Sequence, residues 1–147
     1  MERAGRVALP LGIALMLLGL APGCGNKNLG KVQGTVKLNG KPLKDAMVTF
    51  TPVKGGRPAA GRTDAEGRYE LIYSRDHEGA LIGENTVRIT TFQQVMDEDE
   101  KERTIPEVVP PRYNVSSELK ATVERGSNEF NFDLESGDDE KIIQPVE

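Results

Sequence analysis

The 147-residue sequence predicts an all-β fold, a single small antiparallel β-sandwich of about seven strands preceded by a signal-peptide helix. Three observations carry this. Apolar and polar residues alternate along most recognisable segments, a period of two rather than 3.6. Turn residues separate these segments at intervals of roughly eight to twelve residues. Composition agrees, since 16 Gly, 9 Pro and only 5% aromatic residues suit short strands and turns better than a helical bundle.

The first element is a leader at residues 1–23. Arg3 and Arg6 precede an apolar run from Val7 to Leu20, and Ala21, Pro22 and Gly23 lead to Cys24, the plan of a secretory signal peptide. As a helix the 14-residue run would cover about 21 Å, short of a hydrocarbon core of about 30 Å, so export rather than a permanent span is expected. Residues 24–30 read as a polar linker, and residues 31–135 as the sandwich domain.

Within the domain, Val32, Gly34, Val36 and Leu38 alternate until Asn39-Gly40, a pair that tolerates the positive φ of a tight turn. Ala46, Val48 and Phe50 form the next strand, ended at Pro52 by the loss of a ladder donor. A loop at Gly55-Gly56-Arg57-Pro58, a short strand at Ala60 to Thr63 and a turn at Asp64 to Gly67 lead to alternating Tyr69, Leu71 and Tyr73. Glu84 to Thr91 is a strand with Val87 and Ile89 on one face. Residues 93–117 are expected to form a long charged and Pro-rich loop, with Asp97 to Arg103 either a short exposed helix or part of a mobile excursion. Leu119, Ala121 and Val123, a turn at Gly126-Ser127-Asn128, and Phe130, Phe132 and Leu134 complete the domain, followed by an acidic tail at 136–147.

Charge is unevenly spread. Between Lys27 and Arg62 eight basic side chains meet only Asp45, whereas Thr63 to Glu147 carries nine basic and 21 acidic ones. Pairing across strands is the expected outcome, with attraction of the basic stretch to anionic headgroups as the alternative. The net charge of −4, and the lack of a basic stripe interleaved with aromatics, argue against nucleic acid as a partner. One Cys and one His leave no thiolate cage, zinc cluster or spare Ser/His/Asp set, so no cofactor and no catalytic residue is assigned. His77 reads as a solvated turn residue. Asp64, Glu66 and Gly67 are spaced for a hairpin turn, with a calcium loop as the alternative. Ile105, Pro106, Pro110, Pro111 and Tyr113 are the candidate partner segment, because Pro-restricted apolar residues lose little entropy on docking; the same segment packing back over the sandwich is the alternative.

Two resemblances follow from these residues. Small residues directly before the single Cys24, with polar Gly25-Asn26-Lys27-Asn28 after it, resemble the lipobox of bacterial lipoproteins, although Ala21 holds the place usually taken by Leu. Cys24 would then be lipidated and become the first mature residue. The stretch VQGTVKLNGKPLKDAMVTFTP, then GRTDAEGRYEL and GENTVRIT, resembles the carboxypeptidase regulatory-like, prealbumin/transthyretin-like β-sandwich domain, whose topology is also Ig-like. The ending IPEVVPPRYNVSSELKATVERGSNEFNFDL is similar to that of small planctomycete lipoproteins carrying this domain. Asn85 departs from the resemblance, which usually has an inward Tyr there.

The resemblance implies a non-catalytic module of the cell envelope, exported and anchored to a membrane by its lipid, with a structural or protein-interaction role and an envelope protein as partner. Its alternative is a surface domain that binds a glycan, a small molecule or calcium. Related adhesin sandwiches form an isopeptide bond, for which Lys37, Glu70 and Asn131 or Asp133 would be the counterparts, all at outward positions of the alternation.

Overall fold

Val36, Ala46, Val48, Phe50, Val87 and Ile89 are fully buried, and each lies on the inward side of its segment's alternation. A strand points successive side chains to opposite faces, so one apolar face per strand is enough to build a core between two sheets. The computed structural model describes residues 28–137 together with Ile142 and Gln144. The leader at 1–23, Cys24, and Asp138, Asp139 and Glu140 of the acidic tail lie outside the described residues. No helix among the described residues is long and apolar enough to cross a membrane.

The chain runs through β1 (Leu29–Leu38), β2 (Lys41–Pro42), β3 (Met47–Pro52), β4 (Ala59–Arg62), β5 (Arg68–Glu70), β6 (Ile72–Ser74), β7 (His77–Glu78), β8 (Ala80–Leu81) and β9 (Gly83–Thr90). It continues through β10 (Gln93–Met96), β11 (Glu102–Ile105), a 3-10 turn (Pro111–Tyr113), β12 (Lys120–Val123), β13 (Ser127–Glu129) and β14 (Phe132–Leu134). One sheet orders β12-β9-β3-β4-β6-β7. The other is built around β1, which pairs with β2, β5 and β8 and with β13 and β14.

Pairing is antiparallel except in one place. β13 and β14 run parallel to β1, with Lys31 opposite Ser127 and Leu38 opposite Leu134. After β12 descends beside β9, the turn at Glu124 to Gly126 sends the chain back alongside β1 in β1's own direction. The many residues between β1 and β13 supply the long connection that parallel pairing requires.

The single strand expected at Phe130 to Leu134 is the second part of an interrupted one. Phe130 N–H bonds Gln33 O at 2.9 Å, and Asn131 then leaves the ladder, its Oδ1 accepting from the Thr35 N–H at 2.9 Å. A side chain thus fills the gap that the bend leaves in β1. The Phe130 carbonyl crosses so close to Gly34 that a Cβ there would stand 1.8 Å from its oxygen, which is why a residue without a side chain sits mid-strand. The sharp turn between β1 and β2 likewise has Asn39 and Gly40 at φ 52° and 77°, as its residue types require.

Tyr69 packs inward from β5 and donates its hydroxyl to Phe130 O at 2.8 Å, closing the sheet across the bend. Burial pushes its phenol well above the ordinary tyrosine range, so the fold disfavours the ionised form. The resulting stability is fully present below the unfolded pKa of about 10 and is lost as pH rises above it. Tyr69→Phe should cost about 0.5–1.5 kcal/mol at neutral pH, the worth of one hydrogen bond, and flatten the alkaline loss. Urea unfolding of both proteins between pH 8 and 11 checks this; parallel pH profiles would contradict it.

Candidate functional site

The candidate partner segment is fixed by a buried carboxylate. Glu107 is 4% exposed. Its Oε1 accepts the Thr91 N–H at 3.0 Å and the Val109 N–H at 3.0 Å, and the hydroxyls of Thr90 and Thr91 also bond the carboxylate. Val109 and Pro110 consequently insert into the core, and Asn114 locks the following turn by donating to Val109 O at 2.8 Å.

Most of the segment packs back over the sandwich, the alternative left open by the sequence. Pro110 is buried, Ile105, Pro111 and Tyr113 are half-buried, and only Pro106 of the five is exposed. Arg112 lies over the Tyr113 ring at 4.8 Å, and the Tyr113 hydroxyl accepts from the Glu135 N–H at 3.3 Å, so the tyrosine is held against the end of the domain.

Residues 93–117 also differ from the expected loop with a helical or mobile charged run. β10 and β11 pair antiparallel from Gln93–Ile105 to Met96–Glu102. Asp97 Oδ1 accepts the N–H groups of Asp99 and Lys101, each at 2.9 Å, and Glu100 adopts a φ of 59°. An Asx-type turn, rather than a helix, is what this acidic run closes.

A second area is the outer face of the β1 sheet, where Gln33, Thr35, Asp64, Arg68, Glu129 and Asn131 border an open groove of about 410 Å³. Asp64 Oδ1 accepts from the Glu66 and Arg68 N–H groups, and Oδ2 meets Arg68 Nε at 2.9 Å. The Arg68 backbone N–H is the largest cause holding the Asp64 carboxyl below its usual range, helped by the guanidinium. Glu66 also turns to Arg68, at 3.2 Å. The carboxylates that would face calcium are thus directed at a cation of the chain itself, which fits the hairpin-turn reading.

The isopeptide set is only partly assembled. Lys37 stands opposite Asp133 on paired strands, but Glu70 stands opposite Gln33, four residues back along β1. All of these side chains are exposed, as is Asn131. Amide condensation needs a desolvated lysine kept neutral, which this wet face does not provide.

His77 is exposed, as expected of a turn residue, yet it has a partner that the sequence reading missed. Ser74 Oγ lies 3.0 Å from His77 Nδ1 across the β6–β7 turn, in an open groove of about 480 Å³ with Lys31 and Glu78. The Ser-x-x-His spacing at a turn was the available signal. A nucleophile pair also needs an acid to orient the imidazole, and the His77 ring makes no second hydrogen bond among the described residues.

Asn85 is fully buried at the start of β9. Its Nδ2 donates to Leu81 O at 3.0 Å and Gly83 O at 2.9 Å, tying down the β8–β9 turn, while Oδ1 has no hydrogen-bond partner. Its inward position agrees with the alternation through Val87 and Ile89.

No protein-family model and no curated protein matches the chain. Among solved structures, a 9R-lipoxygenase from Cyanothece PCC8801 is similar over 74% of this chain at 17% identity and a TM-score of 0.43. The chain spans 16% of that lipoxygenase's length.

Proposed function

We propose that the chain is a non-catalytic β-sandwich module of the carboxypeptidase regulatory-like kind, held at a bacterial cell envelope by a lipid on Cys24 and acting as a structural or protein-interaction unit. The observation that carries the reading is the placement of the only Cys, directly behind Ala21-Pro22-Gly23 and five residues before β1 begins at Leu29. A tether of that length joins an export leader to a folded sandwich with almost no intervening chain. The non-catalytic part is supported by the wet, two-membered Ser74–His77 pair and by the carboxylates at Asp64 and Glu66 being turned to Arg68.

Partition of the protein in a bacterial host tests the anchor. Acyl chains contribute about 0.8 kcal/mol per buried CH₂, so two or three of them hold a protein of this size to a bilayer almost completely. The wild-type chain should sediment with membranes and Cys24→Ala should shift to the soluble exported fraction. Equal distribution of the two would overturn the anchor while leaving the sandwich untouched.

The groove between Asp64, Arg68, Glu129 and Asn131 favours a second reading, binding of a small polar ligand such as a glycan on the β1 sheet. Ligand-dependent thermal stabilisation that is lost in Asn131→Ala would support it.

A further inference from the structure

We propose that the end of the sandwich carrying Asn28 is a membrane-apposed face that binds anionic lipid headgroups; the proposal rests on the anchored reading above. Three connections meet at this end. The Ile82 N–H bonds Asn28 O at 3.0 Å, the Val53 N–H bonds Glu84 O at 2.9 Å, and the Lys31 N–H bonds Gly126 O at 2.8 Å. The β3–β4 loop, the β8–β9 turn and the β12–β13 turn therefore share one surface with the point where the chain enters the domain.

That surface is both apolar and basic. Val53 is 52% exposed and Ile82 39% exposed, two of the few large apolar side chains left in solvent. Lys54 and Arg125 border a groove of about 380 Å³ that Ile82 and Glu84 also line, and Arg57 is exposed in the same β3–β4 loop. None of these three cations has an ion-pair partner among the described residues, whereas Glu84 and Glu78, the nearby acids on strands, are taken by Lys120 and Lys31 at 3.1 Å each. Arg75 on the β6–β7 turn adds to the same sign, against Asp76 and Glu124. The acidic turn at Asp97 to Glu100 is rooted at the opposite end, since Gln93 donates to Asp45 O at 2.7 Å and Arg62 donates to Gln93.

Chain length completes the argument. Cys24 precedes Asn28 by four residues, which at about 3.3–3.6 Å each reach roughly 14 Å at most. An anchor at Cys24 thus brings this end within about one or two Debye lengths of the bilayer surface, where each Lys or Arg changes the partition about fivefold. Two exposed apolar side chains between unpaired cations suit the headgroup layer, with the alkyl stems of Lys54 and Arg125 adding apolar contact.

The chain contains no Trp, so single substitutions report without background. Val53→Trp, Ile82→Trp and the control Met96→Trp would each be made in the full chain. Each is then reconstituted with vesicles of phosphatidylcholine alone or mixed with phosphatidylglycerol, including brominated acyl chains as quenchers. Val53→Trp and Ile82→Trp should shift to the blue and be quenched on the anionic vesicles, and Met96→Trp should not. Adding Lys54→Gln, Arg57→Gln and Arg125→Gln, which removes three positive charges, should weaken the response on the order of 100-fold. Equal quenching at positions 53 and 96, or the same response on neutral vesicles, would overturn the proposal. The mass of the same samples shows separately whether Cys24 is acylated. If it is not, titrating Val53→Trp with anionic vesicles still decides, quenching supporting the face and its absence refuting it.

Discussion

Phe50→Ala should destabilise the sandwich by about 3–5 kcal/mol, the usual range for emptying an aromatic site in a packed core. Phe50 is fully buried on β3, between neighbours on both sides in its sheet. Its ring also faces the other sheet, 5.7 Å from Phe130 and 6.4 Å from Phe132 between centroids, at tilted and edge-on angles. Aromatic pairs of this geometry add about 0.5–1.5 kcal/mol to the area they bury. The substitution thus removes the main bridge between the layers, from a total stability of about 5–15 kcal/mol. Urea unfolding checks it, with Ile72→Ala as control, because Ile72 is 57% exposed and its loss should stay within about 0.5 kcal/mol. A Phe50→Ala loss below about 1 kcal/mol would mean that the sheets do not meet through this ring.

The second large effect is expected at Glu107. Glu107→Ala strands the buried Thr91 and Val109 N–H groups, at about 1–3 kcal/mol for each group left unpaired, and takes an acceptor from the part-buried Thr90 hydroxyl, while the Thr91 hydroxyl keeps Pro106 O. Partial rearrangement brings the expected total to about 3 kcal/mol or more. The damage should be local before it is global. Hydrogen exchange at Thr91 and Val109 should accelerate first, and Pro110 and Tyr113 should become accessible as the segment lifts from the core. Glu107→Gln, which keeps one acceptor oxygen, should recover part of the loss. Unchanged protection at Val109 in Glu107→Ala would contradict the role given to the carboxylate.

Strands that face the core were readable because each has one wet and one dry side. The inward series Ala46, Val48, Phe50 and the pair Val87, Ile89 appear in the chain as in the core. The β10–β11 hairpin was not readable for the same reason. Gln94, Met96, Glu102 and Thr104 are all exposed, and no apolar alternation marks it. The bend at Phe130-Asn131 was hidden because its cause is Gly34, almost a hundred residues earlier, where two backbones touch. Glu107 carried no sequence signal either, since its partners Thr90 and Thr91 lie across the hairpin and a lone Glu between Pro106 and Val108 looks like any solvated charge. In the Pro-rich segment the packing-back alternative was legible, and Val109 and Pro110 are the residues that plug the core. Of the turn at Asp64, the sequence showed the carboxylates, while Arg68, four residues on, decides what they bind.

Intact mass of the protein recovered from the membrane fraction tests the proposed lipid on Cys24. The expected mass is that of Cys24 to Glu147 plus acyl groups, with that addition confined to the peptide that begins at Cys24. An unmodified mass, or a chain still carrying residues 1–23, would contradict it.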